Sequence, residues 1–279
     1  MRGEVVAVDP GGKAVRLADG TTLRWDRLIL APGVDFQLDD TPGLAAALDS
    51  GRAVHAWKAG QQTLAMRRQV QDRPDGGVVL LSSPNAPYRC PPGPCERACS
   101  IASYLRRAKP RAKLLVLDAN PEVQSKKALF ERAFAQHHAG VLAYRPNAAL
   151  KEVTGGVVRF EFEDVKADVL NLIPPQRAGE LVRDFANVNR RWVGIDWLTT
   201  QGQVAPGLHV VGDAILSAPA MPKSAHLANQ QAKVAAAAVL ALLRGEAVNP
   251  ALVAMNTCYS FVTPDEDMHV ASVHQYDAT

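Results

Sequence analysis

Two apolar strands flanking one helix in the middle of the chain limit its fold more than any other feature. Val78-Val79-Leu80-Leu81 follows Gly76-Gly77 as a short run with no polar face. That is the pattern of a strand buried on both sides. From Pro94 the apolar positions fall at helical spacing (Ala98, Ile101, Ala102, Leu105) up to Lys109-Pro110, and Lys113 to Asp118 is a second apolar strand closing on an acid. Strand, helix, strand within about forty residues is a βαβ unit, which requires a parallel sheet.

Such a unit binds a dinucleotide through G-x-G-x-x-G after its first strand, where backbone amides cradle a pyrophosphate. Here the position holds Ser82-Ser83-Pro84-Asn85-Ala86-Pro87, with no glycine and two prolines. The expectation is a nucleotide-binding fold that takes no NAD(P)H. The same proline-rich stretch continues to Arg89-Cys90-Pro91-Pro92-Gly93-Pro94. Proline fixes φ and lacks a donor, so Cys90 is presented on a stiff loop rather than packed.

Strand-like segments open the chain at Val5–Val8, Lys13–Leu17 and Thr21–Trp25, and Leu28-Ile29-Leu30 runs into Ala31-Pro32-Gly33. A strand halted by small residues lets backbone approach a ligand closely, or is an ordinary strand exit. Leu44 to Asp72 reads as a linker and a helix, Glu122 to His138 as a helix, and Val157–Asp164 and Ala167–Ile173 as strands before the break at Pro174-Pro175. Leu208-His209-Val210-Val211-Gly212-Asp213-Ala214 places a carboxylate at a sheet's C-terminal edge, in reach of ribityl or ribose hydroxyls. Pro222-Lys223-Ser224 then precedes a long helix bearing Asn229, Gln230 and Gln231, which stops at Arg244-Gly245. The positive end of that helix suits an electron-rich ring.

At 279 residues, 47% hydrophobic and 21% charged, the chain has ample core for one large or two ordinary domains. A formal charge of +3 with no basic run of five gives no footprint for nucleic acid. The longest apolar run, Val234 to Leu243, is about half of a membrane span. Met1-Arg2-Gly3 leads straight into strand residues with no signal peptide. Four cysteines do not make a disulfide scaffold. Cys90 and Cys258 fit a redox pair or a plain stabilising disulfide, whose loop closure is worth about 5 kcal/mol. Cys95 and Cys99, at i and i+4, read as packed thiols, and neither they nor His137-His138 complete a metal-ligand set.

Beyond these single features, seven ordered stretches resemble the flavoprotein subunit of flavocytochrome c sulfide dehydrogenase, in the flavin disulfide-reductase superfamily beside sulfide:quinone oxidoreductase. They are His55-Ala56-Trp57-Lys58-Ala59-Gly60, Arg89 to Pro94, Asn171-Leu172-Ile173-Pro174-Pro175-Gln176-Arg177-Ala178-Gly179, Gly212-Asp213-Ala214, Met221-Pro222-Lys223-Ser224, Lys233 to Ala238 and Asn256-Thr257-Cys258-Tyr259-Ser260. The resemblance implies an α/β fold of two Rossmann-like domains, the first incomplete at its N-terminus. Residues 1–43 and 177–248 would form an FAD-binding domain, 44–176 a central nucleotide-binding-like domain without a glycine loop, and 249–279 the start of a C-terminal interface region.

It also implies that Cys90 and Cys258 are the redox-active cysteines, with Glu96 a candidate proton acceptor. Ala31, Pro32, Gly33, Gly212, Asp213 and Ala214 would contact FAD in two turns, with Lys223 and Gln230 beside the isoalloxazine. The substrate would be sulfide, attacking a disulfide by thiol exchange, and electrons would pass to a c-type cytochrome subunit in the periplasm. The chain departs from the family in lacking the G-x-G-x-x-G pyrophosphate loop and the cysteine that anchors flavin covalently, so it is expected to be an internal segment truncated at both ends. His226 stands where a tyrosine is expected. The competing expectations are a sulfide:quinone oxidoreductase-like flavoprotein and a non-catalytic remnant of either.

Overall fold

The computed structural model describes residues 2–277. The chain divides into two compact units: residues 1–35, 176–258 and 271–279 form the first, and 36–175 and 259–270 the second.

The second unit is built on a five-stranded sheet. Its strands lie in the order Ala53–Val54, Val169–Leu172, Val78–Ser83, Lys113–Asp118 and Leu142–Arg145, all parallel. Side chains alternate between its faces. Val79, Leu81, Leu114, Val116 and Val169 point to one core, where Met66 and Val70 of helix α2 (Gln61–Asp72) and Ala98, Ile101, Ala102 and Leu105 of helix α3 (Gly93–Ala108) cover them. Leu80, Leu117, Leu170 and Leu172 point to the other. That face is closed by Leu44 and Ala47 of helix α1 (Leu44–Asp49) and by Val153, Val158, Phe160 and Val165 of a three-stranded antiparallel sheet. Each fully buried Leu or Val contributes roughly 1.5–3 kcal/mol, which is why these strands carry no polar face.

Between the expected helix bounds 122 and 138, helix α4 spans only Lys127–Gln136. Lys126 caps it in the left-handed region at φ 57°, which no helix interior adopts, and its Nζ donates to Ser260 Oγ at 2.8 Å; the residues before it are irregular chain. The unit also takes residues 36–43, which the sequence reading gave to the other domain. Gln37 N–H donates to Pro175 O and Val153 N–H to Pro42 O, tying that stretch down.

In the first unit an antiparallel sheet (Val5–Asp9, Ala14–Leu17, Thr22–Arg24) precedes a parallel pair, Leu28–Leu30 with Leu208–Val210. Strand Val34–Phe36 pairs with Gln176–Ala178. Helix α5 (Ala225–Arg244) opens on Ser224, whose Oγ accepts from Leu227 N–H, and closes on Gly245 at φ 70°. The core gathers around Trp192, with Leu30, Val34, Leu208, Val210 and Ala214. The two units give the chain an α/β architecture with Rossmann-like domains.

The expected interface region 249–279 is not a body of its own. A hairpin of Val253–Phe261 and Asp267–Gln275 fills most of it, shared out between the units. Among the described residues no helix is long and apolar enough to cross a membrane.

Candidate functional site

Parallel pairing of Leu28–Leu30 with Leu208–Val210 brings the ends of both strands to one sheet edge, with Val210 opposite Leu30. Ala31-Pro32-Gly33 and Gly212-Asp213-Ala214 therefore leave the sheet side by side, the position where open α/β sheets bind ligands. Gly33 and Gly212 sit at φ 70° and 77°, and a Cβ on Gly33 would meet nothing within 4 Å. Gly179 packs beneath the first turn. Its N–H donates to Gly33 O at 2.9 Å, and a Cβ there would lie 2.9 Å from Pro32 O. Gly212 N–H donates to Gln231 Oε1 at 2.7 Å.

Lys223 is buried at this edge. Its Nζ donates to Asp213 O at 2.9 Å and to Ile215 O, and lies 3.8 Å from the centre of the Trp192 ring. Burial pulls its ammonium down to about 7; the Asp213 charge opposes that and Arg191 adds to it. Ser224 Oγ donates to buried Asn256 Oδ1 at 2.6 Å, and His226 Nδ1 accepts from Thr257 N–H at 3.0 Å. The first turn of α5 is thus stitched to the strand that carries half-buried Cys258. Two small-residue turns with left-handed glycines, a buried cation and a helix N-terminus are the parts that a flavin ring system with its ribityl chain would use, so these residues fit that group.

Cys90, in the second unit, is exposed and takes a left-handed backbone at φ 59°. Its carbonyl accepts from Gly93 N–H at 2.8 Å, delivering the chain into α3. A Cβ on Gly93 would lie 2.7 Å from the Trp57 ring and 3.2 Å from Cys90 Sγ, so only glycine lets ring and sulfur share that helix end. Under the loop Tyr88 is 3% exposed, its hydroxyl within 3.4 Å of Ser83 Oγ and Pro91 O. The peptide Ala86–Pro87 is cis.

The dinucleotide position of this sheet is filled from within. Asp118 stands where an acid would meet a ribose, yet it is 2% exposed. It accepts from Asn120 N–H, Asn120 Nδ2 and the Tyr144 hydroxyl at 3.0, 2.6 and 2.8 Å. Burial raises its carboxyl, against the pull of those hydrogen bonds. Cys95 and Cys99 are buried against Phe130, Phe134 and Val123, and burial pushes Cys99 up to about 12 and Cys95 well above its usual value. Both are packed thiols. Glu96 Oε1 accepts from Phe261 N–H at 3.1 Å.

The structure therefore brings Ala31, Pro32, Gly33, Gly212, Asp213, Ala214 and Lys223 to one edge of the first unit. Gln230 lies on the same helix, but Gln231 is the residue that touches the turn. Cys258 belongs to the first unit, Cys90 and Glu96 to the second. Sequence reasoning named Gln231 on this helix without separating it from Gln230, and it gave no individual role to Gly179, Asn256, Arg97 or Trp57. Only Gly179 carried a usable signal, as a glycine just past a strand. Among the described residues no three His, Cys, Asp or Glu side chains converge to hold a metal.

Two family models match the chain: the central part of the sulfide dehydrogenase (flavocytochrome c) flavoprotein chain over residues 63–174, and the flavocytochrome c sulphide dehydrogenase flavin-binding segment over 250–279. Among solved structures, the sulfide:quinone oxidoreductase of the hyperthermophilic bacterium Aquifex aeolicus superposes with a TM-score of 0.75 at 16% identity, over 98% of this chain and 70% of that one. A reduced CoADR-RHD of Bacillus anthracis gives 0.60 at 14%, over 94% and 48%. An engineered water-forming NADPH oxidase gives 0.58 at 13%, over 91% and 58%. At such identities the likeness is one of fold. The chain belongs to the family of flavocytochrome c sulfide dehydrogenase flavoprotein chains, which are flavin-binding oxidoreductases.

Proposed function

We propose that this chain catalyses flavin-dependent sulfide oxidation, with Cys90 and Cys258 as the redox pair. The observation that carries the reading is the mounting of Cys90. A packed structural cysteine has no use for a left-handed backbone, an exposed sulfur and a glycine kept bare beside it. In the oxidised state the two cysteines would form a disulfide. Hydrosulfide attacks one sulfur; a new S–S bond forms, the old one breaks, one cysteine becomes a persulfide and the other leaves as a thiolate. The proton lost by hydrogen sulfide is taken by Glu96, near the start of α3. Bound FAD supplies the two-electron acceptor. The residues of the first unit would hold it: the turns at 31–33 and 212–214 through backbone, Lys223 through charge. A c-type cytochrome is the onward electron acceptor, and the periplasm the compartment.

The test uses oxidised protein and anaerobic sulfide. One extra sulfur should appear by peptide mass spectrometry on the Cys90 or the Cys258 peptide, with a thiol on the other, and Cys90→Ser and Cys258→Ser should each abolish it. Sulfur uptake that survives either substitution sinks the pairing. Sulfide-dependent reduction of cytochrome c, compared with a water-soluble quinone, decides the acceptor.

A further inference from the structure

Beside the Cys90 loop lies a half-buried cation with no acidic side chain paired to it among the described residues. Arg97 sits one turn into α3, and its guanidinium is fixed on all sides. Nη1 donates to His55 O at 2.9 Å and Asn171 Oδ1 at 3.1 Å, and Nη2 to Ala56 O at 2.6 Å. The Trp57 ring centre is 4.8 Å away. Asn171 is itself fully buried and held by donating Nδ2 to Val54 O and His55 O, so the cradle is rigid. All these partners are neutral, and among the described residues Arg97 forms no ion pair. A guanidinium withdrawn from water costs several kcal/mol unless a negative charge stands near it. Carbonyl dipoles recover part of that cost and fix the geometry.

The remaining part points to sulfur. Gly93, one helical turn before Arg97, is the residue whose missing Cβ leaves Cys90 Sγ and the Trp57 ring side by side. The same ring lies against Arg97. We propose that Arg97 is a positioning residue whose fixed charge keeps Cys90 as a thiolate at neutral pH. Burial draws the Arg97 guanidinium down to about 10, and Cys90 is the group that acts in the opposite direction. The other charges at this corner do not replace it. Exposed Lys58 and half-buried Arg89 add positive charge, and Arg89 is turned to Trp57 O. His55 is neutral, drawn to about 4 by burial and by Arg97, Lys58 and Arg89. Glu96 is the opposing charge and is engaged with Phe261 N–H. Tyr88 and Asp118 hold their protons more tightly than usual because they are buried.

The purpose of the thiolate rests on the redox reading of Cys90, but its existence does not. The test therefore measures ionisation directly: iodoacetamide alkylation of the reduced full chain across pH, with Cys90 and Cys258 followed as separate peptides. Cys90 should ionise at least one pH unit below the ordinary thiol midpoint of about 8.5. Arg97→Gln should raise that midpoint by about one unit, roughly tenfold less thiolate at a fixed pH below it. Arg97→Lys should raise it less, Lys58→Gln by a few tenths, and none should move Cys258. A wild-type Cys90 midpoint at or above 8.5 overturns the proposal whether or not the variants fold. So does a folded Arg97→Gln with an unmoved midpoint. A low midpoint without sulfide chemistry overturns the redox reading alone.

Discussion

The two units each end a parallel strand at an edge suited to ligands, and they treat it in opposite ways. In the first, Leu30 and Val210 run out into small-residue turns with Gly33 and Gly212 at positive φ, and backbone is left bare. In the second, Ser83 runs into Pro84, and Tyr88 folds back over the strand end. The contrast extends to charge. Burial weakens the hold of Lys223 on its proton and strengthens that of Asp118, yet Asp118 is saturated with donors while the Lys223 charge meets only two backbone carbonyls and the Trp192 ring in the hydrogen bonds and ring contacts of its ammonium. One architecture therefore serves two purposes. Glycine exposes amides and carbonyls to a bound molecule, whereas proline and tyrosine convert the same edge into a rigid mount for a thiol.

One large effect that tests this contrast is the pH dependence carried by Lys223. Its folded value near 7 lies below its free value of 10.5. Below pH 7 both states hold the proton and the whole burial penalty is present. Between 7 and 10.5 the unfolded chain keeps a proton that the folded chain has released, so stability rises with pH through that window. The difference in urea unfolding free energy between wild type and Lys223→Met should shift in favour of wild type by on the order of 3 kcal/mol from pH 7 to 10. A pH-independent difference would mean that Asp213 O, Ile215 O and the Trp192 face solvate the cation fully. FAD, by bringing negative charge to the edge, should hold the lysine protonated and flatten the rise.

At the other edge, Tyr88→Ala should cost about 3–5 kcal/mol, as for other buried aromatics, read from urea unfolding. Tyr88→Phe should cost about 1 kcal/mol, because the hydroxyl contacts at 3.4 Å are long. Neither wild type nor Tyr88→Ala should show saturable NADH binding by fluorescence titration, since Asp118 stays committed to Asn120 and Tyr144. Saturable binding to the wild type would erase the distinction between the edges.

Much of this was legible in the residues. The strands at 78–83, 113–118 and 169–172 announce themselves because both faces are buried, leaving no polar alternation to confuse them. The two ligand-side turns were readable as glycines after apolar strands. The C-terminal hairpin was not, because its alternation is inverted. Asn256 and Ser260 point inward while Met255, Tyr259 and Phe261 are exposed. No rule that sends apolar residues inside finds such a strand, and the inward amide is explained only by Ser224, 32 residues earlier. Arg97 was hidden for a related reason. On a helix an arginine is ordinarily a solvated surface group, and the acceptors that fix this one lie far off in the chain, Asn171 74 positions away.

The smallest effect separates two neighbours that sequence cannot rank. Gln230 was the expected ring-side contact, yet adjacent helical residues point about 100° apart and only one can face the turn. Gln231 Oε1 takes the Gly212 N–H at 2.7 Å, whereas Gln230 makes no hydrogen bond among the described residues. Gln231→Ala should cost about 1 kcal/mol and speed hydrogen exchange at the Gly212 amide. Gln231→Glu keeps an acceptor in place and should restore most of that protection. Gln230→Ala should change neither quantity. If it alters FAD affinity while leaving the Gly212 amide protected, the two glutamines divide the work, one fixing the turn and the other meeting the ring. An effect on exchange from Gln230→Ala equal to that from Gln231→Ala would show that the turn is held by the helix as a whole and not by one amide oxygen.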